Sequence, residues 1–270
     1  MKEGIKLTDN MTGLENGFHD PGLGSGPEDG LRPRNAILAQ LPEEEYEALA
    51  KCMVEVDLPL SKSLSDPNEP IEFVYFLNRG LISTDAMTQG GESVEVGVIG
   101  REGFSGLPAL LGQPQMSHSV MIQGAGSGVR IRSNVVREQF LKGGALQKLV
   151  HSFAYLQMCQ TAQSVLCNRM HTVDQRLARW LLTSADRMES EELHLTHEFL
   201  SQMLGVQRST VTVAAGEMQR QELIGYSRGK IHLLNRPRLV RTACECYGIV
   251  TAAYDRVLRA GENKSLRYVG

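Results

Sequence analysis

The spacing of apolar residues changes character twice along the chain. Up to residue 34 it has little period, and GFHDPGLGSGPEDG (17–30) mixes glycine, proline and acid, which predicts a flexible tail over 1–34. LPEEEYEALAKCM (41–53) predicts a helix, with Pro42 in its first turn and carboxylates at the positive end of its dipole. From Val54 to Arg132 the apolar runs are short or alternate with polar residues. VEVDLPL (54–60), EFVYFLNRG (72–80), LISTDAMT (81–88), SVEVGVIG (93–100), SVMIQG (119–124) and GVRIR (128–132) predict strands. Asn78-Arg79-Gly80, Gln89-Gly90-Gly91 and GAGSG (124–128) predict the turns between them. Many short strands with regular turns predict an antiparallel β-roll over 35–142.

Beyond residue 133 the period becomes helical. NVVREQFL (134–141) predicts a helix, and after Gly143-Gly144 a long one fills the segment 143–171. Along it Leu146, Leu149, Phe153, Leu156, Gln160, Gln163, Cys167 and Met170 step by three and four, the spacing of a two-stranded seam. The spacing predicts a homodimer through this helix, with the two glutamines fixing register or lining a ligand. Val150, Val165 and Leu166 widen the apolar face enough to pack on the roll as well. HTVDQRLARWLLTSADRM (171–188) predicts another helix, with Val173, Leu177, Trp180, Leu181 and Ala185 inward. A last helix is predicted from Leu239 to Arg259 within 237–270. Its stripe of Val240, Ala243, Tyr247, Val250, Tyr254 and Val257 needs a cover from the roll or a second subunit.

Between these helices lies THEFLSQMLGVQRSTVTVAAGEMQRQELI (196–224), which predicts two helices joined by a tight turn. Thr196 suits the first N-cap, Gly205 the turn and Val206 the angle between the helices. Val211, Ala214, Ala215, Met218 and Leu223 mark the buried face of the second helix. That arrangement is a helix-turn-helix, whose second helix can enter a DNA major groove with its N-terminal side chains at base edges. Arg208, Ser209, Thr212 and Val213 are the candidate base readers. Thr196, Gln207, Thr210, Arg220, Arg228 and Lys230 are the candidate phosphate contacts. The last two flank the tip of a predicted hairpin, YSRGKIHLL (226–234), which makes a wing and ends the unit 172–236 at Arg236-Pro237.

Charge changes the picture only locally. The 270 residues carry a formal net charge of -3, yet 193–241 holds seven Lys/Arg against three Asp/Glu. No apolar run has the length of a membrane span, so the expected location is cytoplasmic and no membrane partner is expected. The five cysteines, Cys52, Cys159, Cys167, Cys244 and Cys246, contain no CxxC and point to neither a disulfide framework nor a standard zinc site. No metal or cofactor is expected. An enzyme using His194, His197 and Glu198, or Cys167 with His171, is the alternative class, but HLTHE (194–198) lacks the spacing of a zinc-protease helix. The expectation is therefore a non-enzyme.

The order of β-roll, long helix and winged helix-turn-helix resembles the bacterial cyclic-AMP-receptor/fumarate–nitrate-regulator (CRP/FNR) family over residues 35–236. LSQMLGVQRSTV (200–211) and SRGKI (227–231) carry most of the likeness. The resemblance implies an α+β fold: an antiparallel, cyclic-nucleotide-binding-like roll, a dimerisation helix and a C-terminal DNA-binding unit. It implies a homodimer on near-palindromic DNA, RNA polymerase as a further partner, and possible gating by a small effector. In the family's base-reading set, Arg208 matches the first arginine, while Ser209 and Val213 replace the glutamate and second arginine. In the sensing half Phe104 and Gly106 match, Leu107 replaces the ribose-binding glutamate, and no arginine stands between Gly106 and Arg130. Thr161 falls where the family contacts the base. The resulting candidate effector pocket is Phe104, Gly106, Leu107, Ser117, His118, Gln160, Thr161 and Gln163, with cyclic AMP not expected to be the effector. The cysteines of iron–sulfur members are absent from residues 1–51.

Overall fold

The computed structural model describes residues 32–259. Most of the predicted tail lies outside them, but residues 32–34 are tied down. Arg32 pairs with Glu43 and covers the Tyr46 ring at 4.6 Å, and Arg34 pairs with Glu189 at 3.1 Å. Two short helices follow, α1 (Ala36–Ala39) and α2 (Glu43–Ala50). Asn35 caps α1, accepting from the amides of Ile37 and Leu38.

The roll is one antiparallel sheet of β1 (Val54–Leu58), β2 (Ser63–Ser65), β3 (Phe73–Met87), β4 (Ser93–Ile99), β5 (Phe104–Ser105) and β6 (Ser119–Arg132), with α3 (Leu107–Leu110) before β6. Its order is β1-β6-β3-β4, with β2 also on β6 and β5 on β3. Two expected turns are absent. Asn78-Arg79-Gly80 and GAGSG (124–128) lie inside the long strands β3 and β6, where they pair through register shifts at Leu77, Arg79 and Leu81. Glycine is what permits the close approach. A Cβ on Gly126 would stand 2.1 Å from the Arg79 carbonyl oxygen, and one on Gly128 2.3 Å from that of Phe76. The glycines therefore mark a bulged ladder and not a reversal of the chain. The turn at 89–91 forms as expected, closed by the Thr88 amide on the Glu92 carbonyl at 2.8 Å.

Helix α4 (Ser133–Leu141) leads into α5 (Gly144–Met170). The first amides of α5, Ala145 and Leu146, both donate to the Glu45 carboxylate at 2.8 Å, so an acid of α2 caps this helix. Most of the expected seam is covered within the chain itself. Leu146 and Phe153 belong to the core of the roll, with Leu149 packed against it. Leu156 is covered by the C-terminal helix, Gln160 and Cys167 are buried, and Gln163 bonds Cys246. Met170 alone of the set stands well exposed. The regular period marked the most apolar face, and the chain's own roll and last helix cover it. A neighbouring stripe stays open: Tyr155, Met158 (71% exposed), Ala162, Val165 (66%), Leu166 and Met170 (71%).

Helix α6 (Val173–Met188) starts the predicted helix-turn-helix unit, capped by a Thr172–Gln175 box. The unit continues with β7 (Glu192–His194), α7 (His197–Leu204), α8 (Arg208–Arg220), β8 (Ile224–Ser227) and β9 (Lys230–Leu233). Beyond it the single predicted helix is two, α9 (Arg236–Thr242) and α10 (Cys246–Arg259). Arg236 and Pro237 open α9, with Asn235 as its cap, and so lie in a helix and not at a strand end. Ala243 breaks the run in an extended conformation (ψ 153°), which turns Cys244 and Cys246 inward. The apolar stripe of α10 is covered by α5, where Val250 and Tyr254 close over Leu156.

Candidate nucleic-acid interface

Thr196 caps α7 by accepting from the Phe199 amide at 3.1 Å. The helix stops at Gly205, whose φ of +60° is the left-handed turn that a side chain resists. Val206 is half-buried in the angle, and α8 begins at Arg208. Val211, Ala214, Ala215 and Met218 lock the inner face of α8 into a core with Leu177, Trp180 and Leu181 of α6. Arg208, Ser209, Thr210, Thr212 and Val213 consequently stand on the open face, with Val213 74% exposed.

The wing has three strands, ordered β7-β9-β8, and its tip at Arg228 (φ 49°) and Gly229 (φ 77°) is a left-handed pair suited to a two-residue hairpin. The Leu195 amide donates to the Gly229 carbonyl at 2.8 Å, so the tip is fixed to the start of α7. The candidate phosphate contacts differ in availability. Lys230 pairs with Glu192 at 2.8 Å, and this bond holds the Glu192 carboxyl below its usual range. Arg220 pairs with Glu217, whereas Arg228 has no side-chain partner among the described residues. Exposed pairs of this kind are weak in water, so a phosphate can displace them. Thr210 and Gln207 are exposed beside Arg208, and Thr196 is spent on its cap.

One positioning residue has no counterpart in the sequence pattern. His197 stacks on Tyr226 at 4.4 Å and its Nδ1 lies 3.0 Å from the Thr212 hydroxyl. That hydroxyl already donates to the Arg208 carbonyl at 3.0 Å, so Nδ1 is the donor to it. Burial, with the nearby Arg208 charge, lowers the His197 pKa and keeps the ring neutral near pH 7. The exposed Thr212 therefore has its hydroxyl already engaged on both sides. No sequence period signals this bond, because it crosses between two helices. Of the two enzyme constellations the first does not assemble: His194 faces Glu192, His197 faces Tyr226, and Glu198 lies 3.9 Å from Arg208. The second pair, Cys167 and His171, does come together, within 4.8 Å.

The candidate effector residues are not gathered round one cavity. Phe104 is fully buried between Phe76 and Phe153, at 5.3 and 4.9 Å. Gly106 (φ +101°) opens α3 and Leu107 packs on the roll core. Ser117 is exposed and His118 half-buried in the segment before β6. Gln160 is a buried hub: its oxygen accepts from Arg187 (3.0 Å) and from the Tyr254 hydroxyl (2.9 Å), and its nitrogen donates to the Val98 carbonyl. Thr161 is exposed at 3.5 Å from the Val96 carbonyl, and Gln163 lies further along α5, against Cys246. A cavity of about 640 Å³ lies elsewhere, between the roll and the DNA-binding unit, lined by Leu81, Trp180, Met188 and Leu193. Both polar atoms of Gln123 and the Ser184 hydroxyl, on its wall, are buried without a partner.

Residues 175–242 match the model of the Crp-like helix-turn-helix domain. No curated protein matches the chain in sequence. Solved structures share the fold across most of its length. FixK2 from Bradyrhizobium japonicum is 16% identical with a TM-score of 0.60, covering 71% of this chain and 98% of that one. The c-di-GMP-responsive global regulator CLP of Xanthomonas campestris is 14% identical (TM-score 0.61), covering 72% and 100%. A CRP/FNR-family transcriptional regulator from Thermus thermophilus is 22% identical (TM-score 0.58), covering 70% and 98%.

Proposed function

We propose, for a chain whose residues 175–242 are a Crp-like helix-turn-helix domain set on the fold of the CRP/FNR transcription regulators, that it is a homodimeric, sequence-specific DNA-binding regulator acting without cyclic AMP. One observation carries the reading. The first two turns of α8 offer Arg208, Ser209, Thr210 and Val213 to solvent, while the opposite face is held in the core beside a wing. A helix held so enters a major groove with its N-terminal side chains at the base edges. Arg208 is the guanine reader, with Ser209, Thr212 and Val213 along the same edge. Arg228, Lys230, Gln207, Thr210, Arg220 and the Thr196 backbone set position and salt dependence.

Arg208→Ala is expected to relax base preference at one position, worth about 1–3 kcal/mol of discrimination. Site selection followed by gel shift, with and without cyclic AMP, measures this. An unchanged preference would remove Arg208 from the groove. A requirement for cyclic AMP would overturn the ligand-independent reading. Support for that reading comes from the stretch after Gly106, which holds no Lys or Arg before Arg130, and from Leu107, packed on the roll core where a ribose-binding glutamate is expected. A buried cyclic phosphate needs a counter-charge.

The dimer uses the open stripe of α5, from Tyr155 through Met158 and Val165 to Met170. An apolar stripe of this length calls for a facing copy, and a two-fold pair of α8 helices then spans half-sites about one DNA turn apart. Met158→Asp is expected to convert a micromolar dimer to monomer in sedimentation velocity. A wild-type protein that sediments as a monomer at that concentration removes the dimer from the reading.

A further inference from the structure

The junction of α5 with α6 is where the long helix hands over to the DNA-binding unit. Cys167 lies one turn before the end of α5 and His171 is its C-terminal cap residue, so the two share a helix face. From the other side of the molecule, the extended break at Ala243 delivers Cys244 and Cys246 to the same point. The three sulfurs and the histidine ring nitrogen all lie within 4.8 Å of one another, and the three cysteines are buried. Cys167 Sγ stands 3.5 Å from Cys244 Sγ, and Cys246 Sγ stands 3.5 Å from His171 Nδ1.

We infer that Cys167, His171, Cys244 and Cys246 bind a single tetrahedral Zn²⁺ ion that staples the α9–α10 link to the hinge between α5 and α6. Three thiolates and an imidazole are a closed structural zinc set. With Zn–S bonds of about 2.3 Å, the edge of such a tetrahedron is roughly 3.8 Å, close to the two short separations. A disulfide needs sulfurs about 2.05 Å apart, well inside the 3.5 Å between Cys167 and Cys244.

The surroundings fit an ion as well as the ligands do. His171 Nε2 lies 3.2 Å from Glu245 Oε1, the carboxylate–histidine arrangement that leaves Nδ1 free to ligate. Gln163 Nε2 donates to Cys246 Sγ at 3.1 Å, a bond that steadies a thiolate. Three thiolates with Zn²⁺ leave one net negative charge, and Arg176 and Arg179 both act electrostatically on Cys167. Binding also explains a spacing that resembles no familiar zinc motif. The ligands come as C-x3-H on one helix end and C-x-C on a helix break, and only the fold joins them.

The test reads metal directly and stands apart from DNA binding. The full-length chain, purified in reductant without chelator, is expected to carry stoichiometric zinc by mass spectrometry. Exchange with Co²⁺ is expected to give the intense visible bands of a tetrahedral thiolate site. The double variant Cys244→Ser/Cys246→Ser should lose both signals, while Cys52→Ser and Cys159→Ser keep them. If the double variant fails to fold, the wild type still decides. A chelator should expose three further thiols to a disulfide reagent, and Zn²⁺ but not Mg²⁺ should protect them again. Protein that is metal-free and binds no Co²⁺, an iron–sulfur spectrum, a Cys167–Cys244 disulfide in reduced preparations, or zinc retained by the folded double variant would each overturn the site.

Discussion

From pH 5 to pH 8 the wild-type chain is expected to lose roughly 3–4 kcal/mol of stability that a Glu95→Gln variant keeps. Glu95 stands on β4 directly across from Asp85 on β3, where the roll meets α6. Its Oε1 accepts from Trp180 Nε1 at 3.0 Å, and its Oε2 is buried without a partner. Burial pushes its pKa up to about 8, Asp85 adds to the rise, and the Trp180 bond, Arg179 and the nearby Gln123 oppose it. Burial raises Asp85 as well. The sign follows from which state binds more protons. The unfolded carboxyl ionises near pH 4.5 and the folded one near 8, so between these values the folded chain holds a proton that the unfolded chain has released. The stabilisation is complete below about pH 4.5 and fades as pH rises to 8, at about 1.4 kcal/mol per unit. Glutamine keeps the acceptor for Trp180 and cannot ionise. Denaturant unfolding of both proteins at pH 5, 6, 7 and 8 gives the difference, in which all other groups cancel. Two parallel stability–pH curves would show that Glu95 does not carry the effect.

The DNA-binding half was legible because its signals are local. A cap at Thr196, a left-handed glycine at 205 and a helical stripe through Val211 and Met218 each act over a few residues, and the fold uses all of them. Sequence and structure part where one local signal serves two purposes. Glycine marks both turns and close strand contacts, so Gly126 and Gly128 have the pattern of a reversal yet make room for the Arg79 and Phe76 carbonyls. A three-four apolar step shows that a helix has a covered face without naming the cover. Hence Leu146, Phe153 and Leu156 have the spacing of a dimer seam, although the roll and α10 bury them.

Of the buried polar and thiol contacts the sequence offered only the Cys167–His171 pair, whose four-residue spacing puts both on one helix face. Glu95, Gln160 and Arg187 come from separate elements, and nothing in their sequence spacing links them. Cys244 and Cys246 would point apart on a continuous helix, and only the break at Ala243 lets them meet Cys167. The candidate effector residues rested on matched positions, and a matched position does not place a side chain. Phe104 went to the core and Gln163 to the thiols.

Arg187→Met is expected to cost about 3–5 kcal/mol of stability, among the largest effects of any single substitution in this chain. Arg187 lies on α6 with its side chain 9% exposed, and its Nε is 3.0 Å from a Glu102 carboxylate that is itself 14% exposed. The guanidinium also donates to Gln160 on α5 at 3.0 Å and lies over the Tyr254 ring of α10 at 4.5 Å. One cation thus ties the roll, α5, α6 and α10 together. Methionine retains most of the volume, so the loss measures charge and hydrogen bonding more than an empty space. What it leaves behind is the carboxylate of Glu102, largely buried and, among the described residues, compensated by the Gly100 amide at 2.9 Å. Removing one partner of a buried pair costs more than removing both, because the survivor is stranded. Glu102→Gln in the Arg187→Met background should therefore recover part of the loss, while Glu102→Gln alone should destabilise. The double-mutant cycle, read by denaturant unfolding, isolates that coupling. Strictly additive losses would mean that Glu102 and Arg187 act independently.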